Sequence, residues 1–251
     1  MNIISPFAPM RSQATETSSL ETECLFGETV TILDKKADWY YCKLLTDNYC
    51  GWIKAIHLGK TPRSTHRVVS LRTFLYKDRD IKSGCINYLP LGAQICIDDI
   101  DEIWSKVLLN SFSNHKYAYI PNNNIIKIGK KINDWVGVAE KFLGTPYVWG
   151  GRNSIGIDCS ALLQLSYQTY GEDIPRNSTD QSLLKKIILN KDDHLERGCV
   201  VFWEGHIAIM LDDLNSIHAN AFHMEVSKEP LTTIIGRTKK NSPIIKIMNF
   251  N

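Results

Sequence analysis

The chain has 251 residues, of which 43% are hydrophobic and 22% charged, a balance typical of a folded globular protein with one large domain or two to three small ones. Its 29 Lys and Arg residues against 27 Asp and Glu give a net charge of +2, which excludes a strong general attraction to nucleic acid. No stretch approaches the roughly 20 apolar residues that a membrane-spanning helix needs, so we expect no nucleic-acid partner and no membrane partner.

The start of the chain and its cysteines both indicate a cytoplasmic protein. The opening "MNIISPFAPMRSQ" has no basic segment ahead of an apolar one, so it does not resemble a secretory signal. The seven cysteines form no CxxC pair, and none of their spacings resembles a zinc site. We therefore expect free thiols in a reducing compartment, with no metal and no organic cofactor.

Residues 1–62 have the pattern of a small all-β domain. The segments "ETVTIL" and "DWYYCKLL" are rich in β-branched and aromatic residues, and "DNYCGWI" opens on a turn-forming Asp47–Asn48 pair. Short strands separated by turn signals about every ten residues predict a small barrel or sandwich.

Residues 63–128 repeat this pattern in a degenerate form. "LPLGAQICIDDIDEIWSKVLL" aligns with "CLFGETVTILDKKADWYYCKLL", and the step from Gly27 to Trp39 equals that from Gly92 to Trp104, 12 residues in both. "KYAYIP" then matches "YCGWIK". Because a solenoid needs three or more units, this twofold repeat predicts two tandem domains.

From residue 129 to residue 251 the pattern changes to helix followed by sheet. "KINDWVGVAEKFLG" places its apolar residues mostly on one face, and Gly144 and Pro146 end it. A second helix is predicted in "GIDCSALLQLSYQTYG", and the apolar runs "CVVFWE", "HIAIML" and "NSIHANA" predict strands. The fold class that we predict for this segment is α+β.

A cysteine, Cys159, lies where the second helix of this segment begins. Asp158 is a good N-cap residue, which puts Cys159 in the first turn, where the helix dipole favours a thiolate and a backbone N–H can hold an oxyanion. Asp158 would itself raise the thiol pKa, so this acid suits substrate binding better than activation. The alternative is a packed structural thiol, which is our interpretation of Cys199 in "GCVVFWE".

Two histidines that could serve as the base follow in the predicted strands. His206 opens "HIAIML" and His218 lies in "NSIHANA", and antiparallel strands joined by "LDDLN" would bring the two rings side by side. One ring could face the thiol while the other orients it by a hydrogen bond. His223 follows as a further histidine that could be mistaken for one of these two. The alternative is that the strand histidines are ordinary surface or core residues.

These residues and the segments around them resemble the NlpC-type cysteine peptidases, bacterial cell-wall endopeptidases with a papain-like core. The matching segments arrive in the family's order and cover nearly all of residues 131–251: "TPYVWGG", "DCSALLQLSY", "IPRNS", "RGCVVFW", "GHIAIML" and "IHA". The resemblance implies Cys159 as nucleophile, His206 as general base and His218 as the orienting residue. It also implies that Tyr147 lines the site beside the nucleophile.

The N-terminal part resembles bacterial SH3-like barrels, which accompany this peptidase domain in a cytosolic subgroup. Members of that subgroup cleave the γ-D-glutamyl–diaminopimelate bond of free muropeptides that keep an N-terminal L-alanine, in murein peptide recycling. The resemblance therefore implies barrels at residues 1–62 and 63–128, a peptidase domain at residues 129–251, and a muropeptide as substrate and partner.

The resemblance also implies residues that bind the free amine of such a peptide. Tyr49, in the turn "YCGW", corresponds to the tyrosine that helps bind the amine. Asp158 and Ser160, which flank the nucleophile, correspond to further ligands of the amine and the peptide. A carboxylate there would compensate a buried ammonium, which is costly when unpaired. Glu28, in "LFGE", is a candidate for the same pocket.

The chain departs from the family pattern at "IPRNS". An acid is expected after "PR" in close relatives, where this chain has Asn177 followed by Ser178. The amide removes one negative charge from that end of the cleft, so either the amine selectivity is looser or the other acids suffice. We count Ser178 with the substrate-binding residues. The second barrel lacks a "YxGW" counterpart, and we expect it to be structural.

Two other functions remain open on the sequence. The same core serves as an acyltransferase or amidase when the thioester intermediate is captured by a nucleophile other than water. A non-catalytic peptidoglycan-binding protein, with the barrels holding peptide, is the other alternative, although an intact set of Cys, His and His argues against it.

Overall fold

The structure is a computed structural model that describes residues 1–109, 115–190, 193–239 and 242–251. Contacts divide the chain into two compact units, Met1–Lys131 and Ile132–Asn251. The first unit contains both halves of the predicted repeat. No helix in the described ranges is long and apolar enough to cross a membrane.

The first half of the repeat contains short strands with one shared core. In chain order they are β1 (Asn2–Ile3), β2 (Phe7–Arg11), β3 (Leu20–Leu25), β4 (Val30–Lys36), β5 (Trp39–Leu44), β6 (Cys50–Lys54) and β7 (Leu58–Gly59). Strands β2 to β6 form an antiparallel sheet in the order β3-β2-β6-β5-β4, and β1 pairs with β7. Cys24 and Cys42 are buried in its core, where cysteine acts as a small apolar side chain.

The second half has the same topology. Its strands are β8 (His66–Val68), β9 (Arg72–Tyr76), β10 (Cys85–Pro90), β11 (Gln94–Ile100), β12 (Trp104–Leu108), β13 (Tyr117–Pro121) and β14 (Ile125–Lys127). They pair in the order β10-β9-β13-β12-β11-β8-β14, which repeats the order of the first sheet strand for strand before β8 and β14 are added. Trp39 and Trp104 begin the corresponding strands β5 and β12. The repeat predicted from the sequence is therefore confirmed in the strand order.

Both halves are small antiparallel sheets, as predicted, but within the described residues neither sheet closes into a barrel. In the described part of the chain, β3 and β4 remain the edges of the first sheet, and β10 and β14 those of the second. Closure needs a continuous ladder around the sheet. Register shifts between Met10 and Arg11, and between Ile97 and Asp99, lie inside the paired ladders and bend the strands there.

A glycine lets the two sheets of the first unit approach each other closely. Gly27 has a φ of +80°, and a Cβ there would lie 1.9 Å from the carbonyl oxygen of Gln94. The backbone N–H of Gln94 donates to the carbonyl of Phe26 at 2.8 Å, and the Phe26 ring packs into the core of the second sheet. This contact explains why the two halves form a single compact unit.

The second unit combines helices with one large antiparallel sheet, whose strands differ in length. In chain order its elements are α1 (Trp135–Glu140), β15 (Arg152–Asn153), β16 (Gly156–Ile157), α2 (Cys159–Thr169), α3 (Ser178–Gln181), β17 (Ile187–Leu189), β18 (Cys199–Trp203), β19 (His206–Met210), β20 (Asn215–Asn220), β21 (Glu225–Pro230), α4 (Leu231–Thr238) and β22 (Lys246–Asn249). The sheet order is β17-β22-β18-β19-β20-β21, and β15 pairs with β16. The predicted α+β class is confirmed for this unit.

Both faces of the large sheet are covered, which fixes the position of α2. Strand β18 is buried at every residue, including Cys199. On one face, Leu231 and Ile234 of α4 pack with Trp203 and the core side chains around it. Helix α2, itself buried along its whole length, packs against β19 and β20. The start of α2 therefore lies beside the strands that carry the histidines.

Candidate active site

Cys159 is the first residue of α2, as the sequence predicts. Asp158 is the N-cap, and its Oδ1 accepts a hydrogen bond from the backbone N–H of Ala161 at 2.8 Å. The cap fixes Cys159 in the first turn, where backbone N–H groups have no partner within the helix. The Cys159 residue is 6% exposed, so it is largely shielded from solvent.

A buried arginine, Arg176, shares this part of the site, and the sequence analysis missed it. Its guanidinium donates to both carboxylate oxygens of Asp158, at 2.9 and 2.6 Å, and to the hydroxyl of Ser160 at 2.8 Å. Ser160 donates to Asp158 at 3.1 Å, and the backbone N–H of Gly150 donates at 3.0 Å. Counting the bond from the Ala161 N–H, five donors converge on a group with about four lone-pair directions. A substrate ammonium at Asp158 must therefore share or displace one of them.

The turn between β18 and β19 brings His206 to the cysteine. Trp203 pairs directly with His206, so the turn between them is tight, and Gly205 adopts a φ of +69° that favours glycine. The Sγ atom of Cys159 lies 3.9 Å from the carbonyl oxygen of Gly205, and the backbone N–H of Ile207 also faces it. The two residues that flank His206 thus contact the thiol.

The electrostatics of this site keep the thiol protonated at neutral pH. Burial, followed by the carboxylate of Asp158, raises the pKa of Cys159 to about 12. The backbone N–H groups of Ile207 and Ser160 and the charge of Arg176 lower it, but they do not offset burial. A nucleophilic Cys159 therefore needs a base that takes its proton as the sulfur attacks.

The two strand histidines lie side by side. Nε2 of His206 and Nδ1 of His218 are 2.8 Å apart. Ile209 of β19 pairs with Ile217 of β20 in antiparallel register, so the predicted pairing of these strands is confirmed. In this register both histidines share the face of the sheet that is opposite to the two isoleucines. Burial, followed by the neighbouring His218 and Arg237, lowers the pKa of His206 to about 3, and burial also lowers the pKa of His218. Both rings are uncharged at neutral pH.

A carboxylate that the sequence analysis missed, that of Glu229, lies behind His218. Its oxygens accept hydrogen bonds from Nε2 of His218 at 2.9 Å, from Nε2 of His223 at 2.8 Å, and from the guanidinium of Arg237 at 3.0 and 2.6 Å. The hydrogen bond from Arg237 is the main cause that holds the pKa of Glu229 at about 2. His223 is therefore part of the hydrogen-bonded cluster, although the sequence did not predict a role for it.

Tyr147 lies close enough to Cys159 and Asp158 for their charges to act on it. Burial is the main cause that raises the pKa of Tyr147 to about 12, followed by these two groups. The backbone N–H of Tyr147 donates to the carbonyl of Met224 at 2.9 Å. Ser178 is the first residue of the short helix α3, whose N-cap is Asn177.

The remaining predicted residues, Tyr49 and Glu28, lie in the first unit. The hydroxyl of Tyr49 donates to Glu21 at 3.2 Å, and its ring packs against the core of the first sheet. The carboxylate of Glu28 is buried and accepts hydrogen bonds from the backbone N–H of Leu25 at 2.7 Å and from Thr46 at 3.2 Å. Both side chains therefore have hydrogen-bond partners within this unit.

Comparisons with known families match the two units separately. The NlpC/P60 family matches residues 144–239, which include the cysteine and both strand histidines. A family described as the bacterial dipeptidyl-peptidase Sh3 domain matches residues 10–58.

Similar proteins match most of the chain. A gamma-D-glutamyl-L-lysine dipeptidyl-peptidase of Bacillus cereus is 28% identical over 87% of this chain and 73% of its own length. Dipeptidyl-peptidase 6 of Lysinibacillus sphaericus is 33% identical over 91% of this chain and 90% of its own. A solved structure of an NlpC/P60 family protein from Bacillus cereus has a TM-score of 0.85, covers 99% of this chain and 98% of that one, and is 22% identical, so it shares the fold.

Proposed function

The chain belongs to the NlpC/P60 family, and from this membership and the geometry of the site we propose that it is a cysteine peptidase with Cys159 as nucleophile. His206 is the general base, and His218 orients it. The observation that carries the proposal is the capped helix start that holds Cys159 against the turn leading into His206, with His218 2.8 Å behind that ring.

The hydrogen bond between the two histidines decides which ring nitrogen of His206 acts as the base. Nε2 of His206 contacts His218, so Nδ1 takes the proton of Cys159 as the sulfur attacks the carbonyl carbon. The backbone N–H of Cys159 stabilises the oxyanion. His206 returns the proton to the leaving amine as the C–N bond breaks and a thioester remains. Water, deprotonated by His206, then hydrolyses the thioester and restores the thiol.

The substrate that fits best is a cell-wall peptide cleaved between γ-D-glutamate and an L-diamino acid, with a free N-terminal L-alanine. Support comes from the names of the similar Bacillus cereus and Lysinibacillus sphaericus proteins, since a dipeptidyl-peptidase releases two residues from an amino terminus. The match to the bacterial dipeptidyl-peptidase Sh3 domain supports the same class of substrate. We propose diaminopimelate as the diamino acid, with lysine as the variant that the Bacillus cereus name suggests.

Recognition of the peptide is assigned to the residues that the family resemblance indicates: Tyr49, Glu28, Tyr147, Asp158, Ser160 and Ser178. Asp158 is the least available of these residues to a substrate, because Arg176 already balances the charge of its carboxylate. An ammonium at Asp158 gains its attraction only by sharing that carboxylate with the guanidinium.

Murein peptide recycling in the cytoplasm is the setting that we propose. All seven cysteines are free thiols, which is typical of a reducing compartment. Immunoblotting of cell fractions tests this location, and recovery of the protein only in the wall fraction would contradict it.

Mass spectrometry of defined peptides tests the activity. L-Ala-γ-D-Glu-diaminopimelate, its lysine analogue and the N-acetylated form of each are incubated with the wild type, with Cys159→Ala and with Cys85→Ala. Cys85 is an exposed thiol of the first unit and serves as the matched control. We expect L-Ala-D-Glu from the free peptides with the wild type and Cys85→Ala, and none with Cys159→Ala.

The same experiment separates the alternatives. Equal turnover of free and N-acetylated peptides would contradict recognition of the terminal amine. Addition of an amine such as glycine amide distinguishes hydrolysis from acyl transfer, because a transferase would release mainly the amide-linked product. We expect the free acid in both conditions.

A further inference from the structure

The carboxylate of Glu229 is a buried group that a Cys, His and His mechanism does not use. Glu229 is 8% exposed, and its two oxygens accept four hydrogen bonds, all from side chains that carry or can carry positive charge. A buried carboxylate is costly unless it is paired and fully hydrogen-bonded, so this cluster needs an explanation.

Strand register explains how Glu229 reaches His218. In the pairing of β20 with β21, His218 lies opposite Ser227, and Ser216 lies opposite Glu229. Residues two apart on a strand share a face, so Glu229 is the diagonal neighbour of His218 on the side of the sheet that also carries His206. The sheet therefore sets His206, His218 and Glu229 in a row.

The hydrogen bonds of this row have one consistent direction. Glu229 is ionised, so its Oε2 can only accept, and Nε2 of His218 must carry the hydrogen. Neutral His218 then has a lone pair on Nδ1, which accepts the hydrogen of His206 Nε2. His206 is left with a lone pair on Nδ1, the nitrogen that a thiol proton needs.

Arg237 and His223 keep Glu229 in the state that this direction requires. The guanidinium of Arg237 donates to both carboxylate oxygens, which fixes the carboxylate plane and holds it ionised. His223 donates a hydrogen bond to Oε1, the carboxylate oxygen that does not accept from His218. Oε2 is thus aimed at His218.

We infer that Glu229 is a positioning residue of the active site, which fixes the tautomers of His218 and His206 and so presents the base nitrogen to Cys159. The role in catalysis rests on the proposed peptidase function, whereas the tautomers themselves do not. Glu229 acts through the histidines and does not touch the reacting atoms. It also stabilises the positive charge that His206 carries while it holds the proton.

Three variants separate this role from simple support of the fold. Glu229→Gln keeps the shape but loses the charge, Glu229→Asp keeps the charge, and Glu140→Gln is the matched control. Glu140 is also paired with two cationic side chains, but these belong to Arg197 and Lys228 and neither is a histidine. Thermal unfolding first establishes that each variant is folded.

In the kinetic arm, we expect Glu229→Gln to lower kcat about 10- to 100-fold with little change in KM, the range known for carboxylates that orient metal-binding histidines. Glu229→Asp should recover part of the loss, and Glu140→Gln should match the wild type. The acid limb of the kcat/KM profile should move to lower pH in Glu229→Gln, because Glu229 raises the pKa of both histidines.

The groups that act on this limb come from every packed element. Glu229 of β21, Arg237 of α4 and His223 after β20 act on the two histidines, whereas Asp158 and Arg176 act on the thiol of Cys159. Of these only Glu229 differs in the variant, so a shift of the limb reports its charge. An unchanged limb with an unchanged kcat would overturn the inference.

A substrate-free arm uses nitrogen chemical shifts of the histidine rings in the wild type. We expect hydrogen on Nε2 of both His206 and His218 at neutral pH, and a mixture of tautomers at His218 in Glu229→Gln. Hydrogen on Nδ1 of His218 in the wild type would overturn the inference even if the variant did not fold. If the tautomers are as expected but the protein cleaves no peptide, the proposed function is contradicted, whereas the tautomers assigned to the two histidines stand.

Discussion

Two buried carboxylates are each held by an arginine, Asp158 by Arg176 beside the cysteine and Glu229 by Arg237 beside the histidines. Both pairs have two parallel N–H···O bonds, the strongest form of this contact. They differ in their other partners. Asp158 accepts from backbone N–H groups and from Ser160, whereas Glu229 accepts from two imidazoles.

This difference shows how one chemical unit serves two purposes. On the cysteine side, the carboxylate caps a helix and joins three chain segments, so its removal should mainly affect the folded state. On the histidine side, the carboxylate faces ionisable rings, so its removal should mainly affect proton transfer. The exposure of the arginines agrees, at 2% for the Arg176 side chain and 26% for that of Arg237.

The largest effect is expected for Arg176→Met. Loss of the guanidinium leaves the charge of Asp158 buried without its partner, which costs about 3–5 kcal/mol of unfolding free energy. Arg237→Met is the matched control, and because water reaches that pair we expect a loss of about 1–3 kcal/mol. Urea unfolding measures both, and equal losses would contradict the division between the two pairs.

Asp158→Asn should change the reactivity of the cysteine. The amide keeps an oxygen that can cap α2, but the negative charge that raises the pKa of Cys159 is gone. We expect the pKa of the thiol to fall by about one unit. The measurement is the pH dependence of iodoacetamide labelling, followed by mass spectrometry on the peptide that contains Cys159. A midpoint that stays or rises would show that Asp158 does not oppose the thiolate.

Much of the site could be predicted from the sequence, because it depends on local signals. The N-cap before Cys159 and the strand pairing of His206 with His218 are readable from neighbouring residues. Arg176 and Glu229 were missed because their partners are set by tertiary packing and by strand register, 18 and 11 residues away. Arg176 lies in "IPRNS", one of the segments that resemble the family, and that match was the usable signal.

The fold was predictable to a similar depth. The repeat of the first unit and the α+β class of the second follow from turn residues and hydrophobic period. Whether the edge strands of each sheet would pair was not predictable, because that pairing depends on the tilt and stagger of all the strands together.

The pH dependence of turnover should be broad. Below its pKa His206 carries a proton and cannot act as a base, and that pKa lies below the ordinary 6.5. Above the pKa of Cys159 no thiol proton remains for the leaving amine, and that pKa lies above the ordinary 9.0. We expect kcat/KM to be flat between these values. An acid limb above pH 6.5 would contradict the desolvated histidine.

The smallest effect is expected for His223→Gln. His223 is partly exposed and supplies one of the four hydrogen bonds to Glu229, while Arg237 still holds both oxygens. We expect kcat to fall about threefold or less, within the range of one modest hydrogen bond. A loss as large as that of Glu229→Gln would mean that His223, and not Arg237, fixes the carboxylate.

The central claim, that Cys159 is the nucleophile of a peptidase, is tested most directly by trapping the acyl intermediate. Wild-type protein is mixed with L-Ala-γ-D-Glu-diaminopimelate, quenched in acid within the first turnover and digested for mass spectrometry. The account predicts an Ala-Glu acyl group on the peptide that contains Cys159 and on none in Cys159→Ala. An acyl group on another residue, or turnover that persists in Cys159→Ala, would contradict it.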